Sequence, residues 1–165
     1  MTILPTNRLI TILLMAFISL SYGGQQTEQS VFKLTVTAPI AAVYDSVYNT
    51  LEDNHFFVVF EANIGRNLSR FAGKWGEAYN RSKLTAIRSL VFCNAWYANK
   101  VSGEDPDMLG LCPLSATLIE KDGQTTILFL KPTVPSKASP AAATLREVQH
   151  TVIQAFQKAA SYFKK

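Results

Sequence analysis

The chain has 165 residues, 48% of them hydrophobic and 17% charged, with a formal net charge of +4. That length is one domain with room for a core that needs no staples, and the apolar content excludes a disordered or low-complexity chain. The modest positive charge permits attraction to anionic surfaces without requiring it.

Arg8 heads an apolar run from Leu9 to Leu20, and Ser21-Tyr22-Gly23 closes it in a small-x-small pattern. The run is about a dozen residues, short of the roughly 20 that a membrane-spanning helix needs. Residues 1–23 therefore read as a secretory signal, with an uncleaved N-terminal anchor as the alternative. No cysteine follows the small residues, which argues against a lipid-anchored form. Residues 24–30 read as a short polar leader and 31–165 as the domain. The expected location is periplasmic or secreted, with no stable membrane span after cleavage. Loss of the signal removes Arg8 and no acid, which lowers the net charge to about +3.

Val31 to Thr37 alternates, with Phe32, Leu34 and Val36 on one face, and predicts a half-buried strand. Pro39 suits the first turn of a helix running to Asp53, with Ile40, Val43, Tyr44, Val47 and Leu51 at helical spacing. Phe56 to Ala62 is almost continuously apolar, the pattern of a central strand buried on both faces. Asn63 to Trp75 is helical in pattern, and glycines 73 and 76 end it. Ile87 to Cys93 predicts a third strand. A short helix capped by Asn94 follows, then a charged turn around Pro106. Leu114–Lys121 and Thr125–Lys131 flank Asp122-Gly123, a strong two-residue hairpin signal. Prolines 132, 135 and 140 punctuate a loop before a long final helix from Thr144 to Phe163. The order is β-α-β-α-β-α-β-β-α. It implies a single α+β domain, with a mixed or antiparallel sheet covered mainly on one face by helices.

Cys93 and Cys112 end one strand and begin the next. In an oxidising compartment such an isolated pair most often forms a disulfide. Closing a loop of about 20 residues would contribute roughly 3 kcal/mol in the chain-entropy model. A redox-active or metal-binding pair and two free buried thiols are the alternatives.

Arg66, Arg70, Lys74, Arg81, Lys83 and Arg88 fall in one stretch against a single acid, Glu77. Arg66, Arg70 and Lys74 recur at helical spacing beside Phe71, Trp75 and Tyr79. Arg66, Arg70, Lys74 and Trp75 thus form a candidate patch for an anion or a partner. The alternative is a solvated helix face with its aromatics packed inward. No serine sits in a G-x-S-x-G elbow, no glycine-rich loop follows a strand, and no CxxCH is present. Met108, His55 and His150 are the other soft or borderline donors. Cysteine with methionine would suit copper(I), yet no pair has CxxC or HxxxH spacing.

Leu90-Val91-Phe92-Cys93-Asn94, then Tyr97-Ala98, Asp105-Pro106, Leu111-Cys112-Pro113 and the Asp122-Gly123 hairpin resemble the DUF302 family. The resemblance runs from about Val31 to Phe163. It implies a compact α+β domain, often dimeric, with no settled activity. This chain departs from the family at Asn94-Ala95-Trp96, where leucine or proline more usually follows the asparagine.

These observations converge on an exported, non-enzymatic binding or accessory domain with no catalytic residue assigned. Its candidate pocket is Asn94, Trp96, Tyr97, Met108 and Pro113, beside Cys93 and Cys112. Its partners would be a small molecule or another exported protein, with a homodimer open and nucleic acid excluded. No cofactor is required. The alternatives are a thiol–disulfide redox partner using Cys93 and Cys112 and, more weakly, a metal- or haem-handling protein with copper as the metal.

Overall fold

The computed structural model describes residues 29–164. The expected signal peptide, and all but the end of the polar leader, lie outside the described residues. Five strands, β1 (Val31–Val36), β2 (Phe57–Ala62), β3 (Ala86–Cys93), β4 (Leu114–Lys121) and β5 (Gln124–Leu130), form one sheet in the order β1-β5-β4-β3-β2. Every neighbouring pair is antiparallel, so of the two expected sheet types the structure takes the antiparallel one.

Register fixes the faces, because side chains alternate along a strand. Leu34 lies opposite Ile127, Ile127 opposite Leu118, and Leu90 opposite Ala116. These residues share one face with Phe92 and Phe129, and two long helices cover it. Helix α1 (Ile40–Asp53) buries Val43, Tyr44, Val47 and Leu51. Helix α5 (Ala142–Ser161) buries Val148, Val152, Ala155, Phe156 and Ala159. The ring of Phe156 meets those of Phe92 and Phe129 edge-on, at 6.5 and 5.6 Å between centroids. Pro39 lies just before α1, and the Glu120 carboxylate accepts from the Ile40 amide at 2.7 Å. A carboxylate at a helix N-terminus both satisfies an orphan donor and complements the helix dipole.

The hairpin forms as the sequence predicts. Asp122 and Gly123 take φ of 51° and 72°, the left-handed pair that a tight two-residue turn needs. Asn94 caps α4 (Ala95–Glu104) by accepting from the Tyr97 amide at 3.1 Å.

Three expectations change. First, β2 is an edge strand, bonded only to β3, and not a central one. Its apolar run includes Phe57, Val59 and Phe60, which are exposed, and Val59 is the extra residue of a bulge. Second, the helix expected over 63–75 is two short ones, α2 (Ile64–Ser69) and α3 (Ala72–Trp75), with no buried residue in either. With no apolar face to bury, neither segment gains enough to run on as one helix. Third, Arg88 leaves the basic stretch. It shares the core face with Leu90 and Phe92 and lies 3.4 Å over the Tyr44 ring. It also pairs with Glu61 at 3.6 Å, and Glu61 accepts from the Tyr44 hydroxyl. Burial above all, and then the bond to Glu61, pushes the Tyr44 hydroxyl well above the usual tyrosine range, although Arg88 opposes the shift.

Candidate functional site: a basic-aromatic cleft and a neighbouring dithiol

Residues 63–85 leave the sheet between β2 and β3 as an arm made of α2, α3, a single 3₁₀ turn (Gly76–Ala78) and a loop. Local chemistry shapes it. The Asn63 side chain caps α2 by accepting from the Arg66 amide at 2.9 Å. Gly65 lets α2 lie against the start of β3, since a Cβ there would stand 3.1 Å from the Ile87 amide nitrogen. Gly76, at φ +50°, ends α3. The Asn80 side chain clamps Leu84 from both sides, accepting from its amide at 2.9 Å and donating to its carbonyl at 2.8 Å.

Arm and strand enclose an open cleft of about 610 Å³. Asn63, Arg66, Trp75, Tyr79 and Asn80 supply its polar and aromatic lining, while Leu68, Leu84 and Ile87 supply its apolar lining. The lining contains no carboxylate, histidine or cysteine. Among the described residues no carboxylate pairs with Arg66, and its guanidinium remains open to a ligand. Trp75 stacks on Phe71 at 5.1 Å, which fixes the indole at the rim.

Of the four patch residues singled out in the sequence, Arg66 and Trp75 line this cleft. Arg70 and Lys74 are exposed on the arm outside the lining. Phe71 and Trp75 do not pack inward, being 47% and 41% exposed, whereas Tyr79 is half-buried in the cleft wall. Asn63, Gly65, Asn80 and Ile87 were not singled out for a site. An asparagine directly before a helical pattern was the available signal for Asn63.

The residues expected to form one pocket near the cysteines divide among neighbouring depressions. Cys93, Asn94, Tyr97 and Cys112 border an apolar void of about 20 Å³, room for about one water. Tyr97 fills the space by stacking on Phe56 at 6.0 Å. Trp96 is 70% exposed and lines, with Asn94, Tyr97, His55 and Phe57, an open depression of about 460 Å³. Met108 packs on the cluster of Val101, Ala141 and Leu145; Val101 and Leu145 also wall the void at the cysteines, but Met108 does not line it. Pro113 lines a different depression, with Leu130 and Pro132.

The topology does bring the two cysteines together, as expected, but without a bond. They stand 4.4 Å apart as free, half-buried thiols, against about 2.05 Å for a disulfide. Burial first, and then the adjacent Cys93, raises the Cys112 thiol above its ordinary pKa. Among the described residues no three of histidine, cysteine, aspartate and glutamate gather as a metal cluster. No described helix is long and apolar enough to cross a membrane.

The family model described as "Domain of unknown function DUF302" matches residues 32–161. The chain belongs to the DUF302 family. The crystal structure of an uncharacterized conserved DUF302 protein from Bacillus stearothermophilus is similar, with a TM-score of 0.68 and 14% sequence identity. The match covers 79% of this chain and 98% of that one. At that identity the likeness carries the fold alone. No curated protein matches this DUF302 chain.

Proposed function

We propose that this DUF302 domain is an exported binding module whose ligand, a small aromatic or apolar molecule carrying an acid group, lies in the arm cleft. The observation that carries the reading is the make-up of that cleft. It offers a cation without a partner, an indole face and a phenol above an apolar floor. A volume of about 610 Å³ falls in the range of small-molecule sites, which runs from roughly 300 to 1,000 Å³. Five basic residues on the arm against one acid, Glu77, would attract an anion to its mouth.

Binding fits the cleft better than catalysis does. General acid–base or nucleophilic chemistry needs a poised carboxylate, imidazole or thiol, and the lining supplies none. Export rests on Arg8 and the Leu9–Leu20 run in the sequence. It would place the cleft outside the cytoplasm, where the ligand is met.

The chain has two tryptophans, so Trp96→Phe leaves Trp75 as the single indole reporter. Titration of that variant with anilinonaphthalene sulfonate should change Trp75 emission saturably. An aromatic carboxylate such as naphthoate should reverse the change, and naphthalene methanol should not. Adding Arg66→Gln should weaken the probe by roughly tenfold, the worth of a charge-assisted hydrogen bond. A Trp75 signal unmoved by the probe would overturn the proposal.

A further inference from the structure

We propose that Cys93 and Cys112 form a second, separate site, in which the two sulfurs alone hold a soft monovalent ion, copper(I). The pair stands 4.4 Å apart. Two metal–sulfur bonds of roughly 2.3 Å laid end to end span about 4.6 Å. An ion between the sulfurs in near-linear geometry therefore asks for almost no movement of the chain. Cys93 closes β3, and Cys112 lies two residues before β4, the strand paired with β3, so both donors sit at the same end of that pair.

The donor count selects the ion. Zinc in a structural site takes four ligands, almost always tetrahedral. Here the described residues supply two thiols and no third histidine, cysteine or carboxylate in reach. Around the sulfurs are Phe56, Phe92, Tyr97, Val101 and Leu114, which offer no carboxylate or imidazole. A divalent ion that seeks four or six donors is left incomplete. Copper(I), a soft closed-shell ion, is satisfied by two thiolates. Met108, the remaining soft donor of this region, packs against Val101, Ala141 and Leu145 and does not line the void at the sulfurs. Both cysteines are half-buried, so an ion has a way in and the apolar wall shields it once bound. On binding, each thiol releases its proton to solvent as its sulfur bonds to the ion. No electron is transferred.

The test uses the purified chain, reduced and kept anaerobic, titrated with copper(I) against bicinchoninate. The expected result is one ion withdrawn from the chelator per chain, lost in Cys93→Ser and in Cys112→Ser. Met108→Leu should retain it. X-ray absorption of the loaded protein should show two sulfur neighbours and no third ligand. Far-ultraviolet circular dichroism of each variant separates loss of the site from loss of the fold. Failure of the wild-type chain to compete with bicinchoninate would overturn the proposal. So would three or more metal neighbours, dependence on Met108, or isolated protein whose cysteines are bonded and give no free thiol after unfolding. The Trp75 titration is independent, so the cleft and the dithiol stand or fall separately.

Discussion

Gly65 and Ile87 touch through their backbones: a Cβ placed on Gly65 would come within 3.1 Å of the Ile87 amide nitrogen and 3.6 Å of its carbonyl oxygen. The contact seats α2 on β3 and so sets the width of the cleft. β3 is anchored in the sheet, with Ile87 paired to Ile119 of β4, whereas α2 has no buried residue to anchor it. Gly65→Ala should therefore move the arm and leave the core in place. The expected outcome is weaker binding of anilinonaphthalene sulfonate with a loss of global stability under about 1 kcal/mol, the scale of changes away from a core. Denaturant melts alongside the titration check it. Unchanged affinity would show that the α2–β3 contact does not shape the site.

The Tyr44 hydroxyl makes folding sensitive to alkali. Its pKa in the folded chain is raised, chiefly by burial and then by the bond to Glu61. A raised acid holds its proton more tightly when folded than when unfolded. The stability it contributes is present below its unfolded pKa of about 10 and is lost as pH rises beyond that. Wild-type melting temperature should fall steeply above about pH 10, and Tyr44→Phe should flatten that limb. At neutral pH the same variant should cost about 1–3 kcal/mol, because it takes a donor from a charged acceptor. Parallel alkaline slopes in the two proteins would refute the assignment.

Cys112 should react slowly at neutral pH. Burial, and then the neighbouring Cys93, raises its pKa, and the thiolate is the reactive form. In Cys93→Ser, where burial remains, the iodoacetamide rate at Cys112 should rise through a midpoint above the ordinary cysteine value of about 8.5. A midpoint at or below that value would revive the reading of the pair as a redox couple, which needs an acidic, exposed thiol.

The hairpin should be sensitive at one position. Gly123 has φ +72°, where a side chain strains the backbone. Gly123→Ala should cost about 1–2 kcal/mol by urea melting, with no effect on the cleft.

Periodicity carried much of this fold. Alternation in Val31–Val36 and Leu114–Lys121, the Asp122-Gly123 pair and the stripes of α1 and α5 each correspond to an element in the expected place. The edge position of β2 was not legible, because an apolar run looks the same whether it is covered or bare. Its exposure follows from strand order, a non-local property. Arg88 was legible in principle. It sits two residues before Leu90 and four before Phe92, so strand parity puts it on the core face and out of the basic patch. Arg66 and Trp75 were visible as residue types, but the cleft between them was not. It depends on the close approach of Gly65 to β3 and on the Asn80 clamp, and neither leaves a periodic trace. Adjacent strand ends did place the cysteines together. Whether sulfur meets sulfur at bonding distance depends on side-chain directions that sequence does not fix.

The most direct test of the central claim is amide-resolved NMR of the chain titrated with naphthoate. The account predicts progressive, saturable shifts at the Gly65, Arg66, Tyr79 and Ile87 amides and at the Trp75 indole N–H, with Asn94, Trp96 and Tyr97 unmoved. Saturable shifts confined to the Cys93–Tyr97 region, with the arm silent, would contradict it.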